Sequence, residues 1–149
     1  MTEIRLSNVD EMHARASELL REHWIEIARN KQVMVLKPDW IGYREMERQG
    51  KMLCLAAWDG DNMVGYSANF VVHHLHYADL VMCTNDVLFV TKSHRVGRTG
   101  IKLMRETERL AKETGAQLML WHAKENTDLA AICPRMGYGV QDIIFSKEI

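Results

Sequence analysis

Apolar residues near the N-terminus recur every three or four positions, which predicts an amphipathic helix. A short strand from Glu3 to Leu6 precedes this helix, and either Ser7 or Asp10 is expected to cap its first turn. A second short helix is predicted after Pro38 and Asp39, because this pair favours a helix start. The residues expected to face inward are Met12, Ala16, Leu19, Leu20, Trp24, Ile27 and Ala28 in the first helix, and Trp40, Tyr43 and Met46 in the second.

The middle of the chain changes to the alternating pattern of β-strands. A strand from Lys51 to Trp58 and a second one beginning at Met63 flank the segment 59–62, whose residues suit a hairpin turn. The run from Leu80 to Val90 is apolar on both faces toward its end, as is typical of a central strand covered on both sides.

The rest of the chain is predicted to alternate helices and strands. A helix from Thr99 to Thr114 should end in a left-handed cap at Gly115, and a strand from Gln117 to His122 follows. A last helix opens at Asn126 or Thr127, is limited by Pro134 and Gly137, and precedes a closing strand from Tyr138 to Lys147. This order predicts one domain, 1–149, of the α/β (α+β) class, with a mixed, mostly antiparallel sheet of about six to seven strands flanked by about four helices.

Composition narrows the classes of function. The 19 basic and 20 acidic side chains nearly cancel, so the chain gives no strong nucleic-acid signal and no attraction to an anionic membrane. No stretch approaches the ~20 apolar residues of a membrane span, and the N-terminus lacks a signal-peptide pattern. The cysteines Cys54, Cys83 and Cys133 are odd in number and far apart, which favours reduced thiols and a cytoplasmic location.

The segment HRVGRTG, residues 94–100, lies between a predicted strand and a predicted helix. Such a loop suits anions, because the free amides at a helix start point at the ligand and the helix dipole reinforces them. Gly97 and Gly100 allow a phosphate to approach the backbone closely. On its own, so short a pattern is more often that of an ordinary strand-to-helix turn.

The stretch LFVTKSHRVGRTGIKLM, residues 88–104, resembles the acetyl-CoA motif of the Gcn5-related N-acetyltransferase (GNAT) family. In that family a strand ending in L-x-V is followed by R/Q-x-x-G-x-G/A and a helix. Leu88, Val90, Arg95 and Gly100 match in register, whereas Arg98 replaces the middle glycine and Gly97 stands one residue earlier. The predicted order of elements is also GNAT-like over nearly the full chain.

This resemblance implies an N-acetyltransferase that moves an acetyl group from acetyl-CoA directly to a primary amine, which is carried by a small molecule or a protein. Residues Arg95 to Gly100 would hold the pyrophosphate, while Phe89 and Val90 would hold the thioester arm. The cofactor-binding residues implied are Leu88, Phe89, Val90, Arg95, Val96, Gly97, Arg98, Thr99, Gly100 and Asn126. A homodimer joined through the closing strands is a further expectation.

Four residues are candidates for proton transfer. Asp86 precedes Val90 by four residues, where the family often keeps a carboxylate, and is the first candidate for the base. His76, together with His74, is the second candidate, because imidazoles titrate near neutrality. Cys133 takes the position of the tyrosine that in the family protonates the departing thiolate. The structural alternatives are a strand-end carboxylate bonded to amides for Asp86 and a buried thiol for Cys133.

Two other functions compete with catalysis. The departures at Arg98 and Cys133 are compatible with a non-catalytic GNAT-like binding module that retains CoA affinity. A metal site built on the histidines is a weaker alternative, because no fixed ligand spacing supports it, and we expect no metal. Trp24, Trp40 and Trp58 fall in the half of the chain that builds the acceptor pocket in GNAT proteins, although core packing is the favoured role for Trp24 and Trp58.

Overall fold

The computed structural model describes residues 1–149, and its centre is one five-stranded sheet in the order β1-β2-β3-β4-β5. The first three pairs of neighbours are antiparallel and the last pair is parallel, so the sheet is mixed as predicted. The strands are β1 (Glu3–Ser7), β2 (Met52–Asp59), β3 (Asn62–His73), β4 (Val81–Val90) and β5 (Leu118–Leu120).

Helices cover both faces of this sheet. The first three helices pack on one face, where Met12 and Leu19 join a cluster with the sheet residues Tyr66 and Phe89. The fourth helix packs on the other face, where Leu103 contacts the cluster around β2 and β4. The helices are α1 (Val9–Arg15), α2 (Ser17–Ile27), α3 (Trp40–Arg48), α4 (Thr99–Glu113) and α5 (Asp128–Arg135), and none is long and apolar enough to cross a membrane.

Most predicted elements are confirmed by the structure. The hairpin joining β2 and β3 turns at Gly60, which has a φ of +57°. The carboxylate of Asp39 caps α3 by accepting a hydrogen bond from the amide of Gly42 at 2.9 Å. Gly115 follows α4 with a φ of +95°, the left-handed conformation expected after a helix end.

Several expectations about the elements were wrong. The first helix is divided at Ala16 into α1 and α2, and its cap is neither Ser7 nor Asp10 but Asn8, which accepts a hydrogen bond from the amide of Glu11 at 2.8 Å. The strand predicted from Gln117 to His122 is only the three-residue β5. The predicted closing strand does not form. The segment after Tyr138 pairs with no strand and exposes its apolar residues. The sheet therefore has five strands and the chain five helices, against six to seven strands and four helices expected.

Strand β4 is irregular at two places next to the candidate site. Pairing with β3 shifts register between Ala68 and Asn69, so that Ala68 faces Val87 while Asn69 faces Asn85. Asp86 is the extra residue of this β-bulge, and such bulges often reorient a side chain next to a functional site. Pairing with β5 ends at Thr84, so β4 continues to Val90 without a partner on that edge.

Candidate active site

The loop after β4 and the start of α4 present a row of unpaired backbone amides. None of the amides of residues 96–101 donates to a carbonyl oxygen or a side chain of the protein. Gly97 and Arg98 both have positive φ, +94° and +69°, and Arg98 is the N-terminal cap residue of α4 without capping it through its side chain. The row therefore combines a turned backbone with a positive helix end, the arrangement that binds phosphate groups in proteins.

The side chain of Arg95 binds other parts of the protein and does not extend freely from this loop. Its Nε donates to the carbonyl oxygen of Val90 at 2.8 Å, and its two terminal nitrogens bind the carboxylate of Glu26 at 2.8 and 2.7 Å. The guanidinium lowers the pKa of Glu26 by this hydrogen bonding. The structure therefore assigns Arg95 to fixing the loop on β4 and α2.

Helix α2 is tied to the end of β4 at three successive points. Beside the Glu26 to Arg95 pair, Thr91 donates to the carboxylate of Glu22 at 2.9 Å. His23 Nδ1 lies 2.8 Å from the hydroxyl of Tyr66, and its ring stacks on Phe89 with 4.8 Å between centroids. These contacts fix the loop and the end of β4 against α2.

The gap between β4 and β5 lies next to the amide row. The two strands pair only over residues 82–84 and 118–120, and beyond Thr84 the edge of β4 is free. Phe89 and Val90, which are buried, end the unpaired part of β4, and Gly100 lies 4.0 Å from Val90 when a Cβ is placed on it. An extended chain with a phosphate end fits this arrangement, since it can lie along the strand edge and end at the amides.

Asp86 is held at the bulge on the face covered by α1 to α3. The hydroxyl of Tyr43 donates a hydrogen bond to its carboxylate, and the Tyr43 ring stacks on Phe70 at 6.3 Å. Burial and then the hydrogen bond to Asp86 raise the pKa of Tyr43, so its hydroxyl stays protonated at neutral pH. Asn85, the residue before Asp86, is buried and is paired with Asn69. Asp86 itself is exposed, so this carboxylate is accessible to a ligand.

An apolar cavity of about 280 Å³ opens beside this pair. Thirteen of its 15 lining residues are hydrophobic. Its floor includes Ala68 and Val87 of the sheet, and its wall includes Tyr43. The segment connecting α2 to α3, residues 28–39, forms the rim from Met34 to Pro38. The cavity therefore lies on the same face of the sheet as Asp86 and contacts the neighbouring residue of β4, Val87.

The structure does not bring all the predicted proton-transfer residues together. His74 and His76 lie in the turn after β3 instead of on a strand face, and His74 Nδ1 accepts the amides of His76 and Tyr77. Roughly 17 Å of strand separates Val81, at that end of β4, from Asp86. His76 is therefore separated from the bulge. No group of three or more potential ligands gathers around these histidines to hold a metal ion.

Cys133 and Asn126 lie on the segment around α5. Cys133 is half-buried near the end of this helix, and burial raises the pKa of its thiol. Its carbonyl oxygen accepts the amide of Tyr138, whose hydroxyl donates to Glu108 of α4. Asn126 is exposed, with a φ of +60°, directly before the Thr127 cap of α5. Their roles as acid and as cofactor ligand stay predictions.

His23 lies next to the candidate site, but the sequence patterns did not single it out as a site residue. Burial lowers the pKa of its imidazole to about 4, and the nearby Arg95 and Lys124 act in the same direction against Glu26. The side chain is therefore neutral at pH 7 and remains in contact with Phe89 and Tyr66. One feature of the sequence could have indicated its position: His23 follows Leu19 by four residues, which places both side chains on the same face of the helix.

Comparisons with known proteins support the fold assignment. No family model matches the chain, and no curated protein matches it in sequence. Solved structures match over almost the whole length at low identity. A ribosomal-protein-alanine N-acetyltransferase from Brucella melitensis has a TM-score of 0.72 and 15% identity, with 100% of this chain and 99% of that chain covered.

Two further matches are informative because ligands are present. A predicted acetyltransferase with acetyl-CoA from Clostridium acetobutylicum has a TM-score of 0.77 at 10% identity, covering 99% of this chain and 96% of that one. An aminoglycoside acetyltransferase from an uncultured soil sample, in complex with sisomicin, has a TM-score of 0.73 at 16% identity with the same coverage. The chain thus has the fold of the GNAT acetyltransferases, and at the level of fold the resemblance stated above is confirmed.

Proposed function

We propose that the chain is a member of the GNAT superfamily that transfers an acetyl group from acetyl-CoA to a primary amine. The observation that carries this proposal is the row of free amides at residues 96–101, placed at the end of a strand whose edge is unpaired. The fold shared with acetyltransferases supports it. The three unpaired cysteines support a reducing compartment, so we expect the reaction to occur in the cytoplasm.

The cosubstrate is proposed to lie along the free edge of β4. The amides from Val96 to Gly100 would bind the pyrophosphate, and Phe89 and Val90 would hold the thioester arm. Arg95 is occupied by Glu26 and Val90, so its proposed contribution is to shape the loop rather than to neutralise a phosphate directly. Arg98, by contrast, has no ion-pair partner within the protein and is free to contact a phosphate.

The proposed reaction is direct attack by the amine. Asp86 attracts the ammonium form and takes its proton, after which the neutral nitrogen attacks the thioester carbonyl. The new carbon–nitrogen bond forms, the nitrogen then loses its second proton to solvent, and the carbon–sulfur bond breaks as the thiolate leaves with the electron pair of that bond. Tyr43 holds the carboxylate of Asp86 by its hydrogen bond and so fixes the orientation of this carboxylate.

Protonation of the leaving thiolate is assigned to Cys133 as the first candidate. Because burial raises the pKa of this thiol, it carries its proton at neutral pH, as an acid must. Transfer of a proton to the CoA thiolate would leave a cysteine thiolate that solvent reprotonates. No specific observation favours a module without catalysis, since the neighbours described above are acetyltransferases.

The test of this function is release of free CoA in the presence of acetyl-CoA and a panel of primary amines. The reaction should depend on both substrates, and Asp86→Asn should lower kcat by about 10²- to 10⁴-fold, the usual contribution of a positioned base. His76→Asn is the matched control and should leave kcat unchanged, because the turn after β3 lies away from the bulge. A fully active Asp86→Asn enzyme would remove Asp86 from the mechanism.

A further inference from the structure

The chemistry of the cavity beside Asp86 restricts the amine that can occupy it. Its volume of about 280 Å³ is at the lower end of ligand pockets, so it fits a small molecule rather than a folded partner. The lining consists almost entirely of carbon surface from both the sheet and the helices. A sugar or polyamine placed here would lose water from polar groups without gaining hydrogen bonds.

Aromatic side chains with fixed positions build the walls. Trp24 donates from its Nε1 to the carbonyl oxygen of Met34 at 2.7 Å, which ties the rim segment to α2. Trp40 stacks on His13 at 4.5 Å and lies tilted against Tyr43 at 5.9 Å. Because these rings are held by contacts within the protein, they offer a preformed surface for another ring or a branched hydrocarbon.

Few charged groups adjoin the cavity. Tyr43 forms part of its wall and donates to Asp86, so a carboxylate adjoins the hydroxyl of this wall residue. The only charged residue in the lining is Lys37, which is exposed on the rim segment. One ammonium group is therefore favoured near Tyr43, whereas a second ammonium at the rim would be repelled by Lys37.

We propose that the acceptor is a small monoamine whose primary amino group is attached to an aromatic or branched apolar body, with the body in this cavity and the amino group at Tyr43 and Asp86. This assignment rests on the proposed acetyl transfer for its biological meaning, but the binding step does not need acetyl-CoA. It excludes polycationic acceptors, including aminoglycosides and polyamines, as good ligands of the site.

The first experiment is calorimetric titration with 2-phenylethylamine, spermidine and kanamycin, without any CoA compound. The aromatic amine is expected to bind at least about tenfold more tightly than either polycation, because burial of its ring is the main favourable contribution. 2-Phenylethanol, which lacks the ammonium, should bind more weakly than 2-phenylethylamine. Equal or tighter binding of spermidine or kanamycin would overturn the proposal.

Two variants locate the binding and remain informative if one fails to fold. Ala68→Phe fills the floor of the cavity and should reduce affinity for 2-phenylethylamine at least about tenfold. Lys37→Glu reverses the charge at the rim and should raise affinity for 1,6-diaminohexane about fivefold. Lys112→Glu, on exposed surface of α4, is the matched charge control and should change neither affinity. Unaltered diamine affinity in Lys37→Glu, or unaltered aromatic amine affinity in folded Ala68→Phe, would contradict the assignment.

The same preparation separates this proposal from the proposed function. Titration with acetyl-CoA alone reports on the amide row and is independent of the cavity. If acetyl-CoA binds and 2-phenylethylamine does not, the acceptor class is wrong and the acetyltransferase proposal stands. If 2-phenylethylamine binds and acetyl-CoA does not, the amine site stands and the acetyltransferase proposal falls.

Discussion

The hydroxyl of Tyr43 on α3 donates a hydrogen bond to the carboxylate of Asp86 at the bulge of β4. This contact joins a helix that lines the apolar cavity to the strand that leads into the amide row. It places a carboxylate, an aromatic wall and the end of the unpaired strand edge on neighbouring parts of the sheet. The proposed proton transfer depends on this contact.

Tyr43→Phe removes the hydrogen bond to Asp86 but keeps the ring that stacks on Phe70. We expect kcat to fall about tenfold with a smaller change in KM for the amine, because the carboxylate loses its orientation while the cavity keeps its wall. The measurement is CoA release at saturating acetyl-CoA. Tyr77→Phe, in the turn after β3, is the matched control. A change confined to KM would assign Tyr43 to binding alone.

Arg98→Gly should stabilise the protein. Arg98 has a φ of +69°, which is unfavourable by about 1–2 kcal/mol for a residue with a side chain. Part of the gain is offset by the greater freedom of glycine in the unfolded chain, so a net gain of about 0.5–1 kcal/mol is expected in urea unfolding. Arg105→Gly, inside α4, should instead cost about 1 kcal/mol. Destabilisation by Arg98→Gly would show that the Arg98 side chain makes a stabilising contact that outweighs the strain.

His23 should make stability depend on pH between 6.5 and 4. Its pKa is lowered from 6.5 to about 4 in the folded protein, so the unfolded chain binds the proton more readily in this range. The full contribution is present above pH 6.5, and about 3 kcal/mol is lost as the pH falls through this window. His23→Gln should flatten the profile in urea unfolding at pH 7, 6, 5 and 4, while exposed His122→Gln should not. An unchanged profile in His23→Gln would contradict the burial of this imidazole.

Gly65 is required where β3 meets the end of β4. A Cβ at this position would lie 2.8 Å from the carbonyl oxygen of Phe89 and 2.9 Å from Cγ2 of Val90. Gly65→Ala should therefore cost about 1–3 kcal/mol and weaken acetyl-CoA binding by displacing Val90. Gly139→Ala is the matched control, since nothing lies within 4 Å of its Cβ position. Equal melting temperatures for the two variants would contradict the close strand contact.

Local patterns in the sequence predicted most of the fold. The stripe through Leu19 and the hairpin at Gly60 rest on periodicity and turn chemistry, which act between near neighbours. The break at Ala16 was missed because the apolar stripe continues across it. The closing strand was predicted from the local sequence after the last helix, but strand formation also requires a partner edge, and that is set by the tertiary arrangement.

The candidate site was predicted only in part for the same reason. The amide row follows from a strand, glycines and a helix in sequence, so residues 95–100 could be selected. The Tyr43 to Asp86 contact joins residues 43 positions apart, and the bulge that exposes Asp86 has no sequence signature. His76 was selected by residue type, whereas its location was decided by where β3 ends.

Calorimetric titration with acetyl-CoA, comparing the parent protein with Gly100→Glu, is the decisive test of the proposed acetyl-CoA site. A Cβ at Gly100 meets only Val90, at 4.0 Å, so the variant should fold while its carboxylate repels phosphate at the amide row. Gln117→Glu adds the same charge at the opposite end of β4 as a control. We predict one-to-one binding by the parent protein and by Gln117→Glu, and its loss in Gly100→Glu. Absence of binding to the folded parent protein, or full binding by Gly100→Glu, would contradict the acetyl-CoA site.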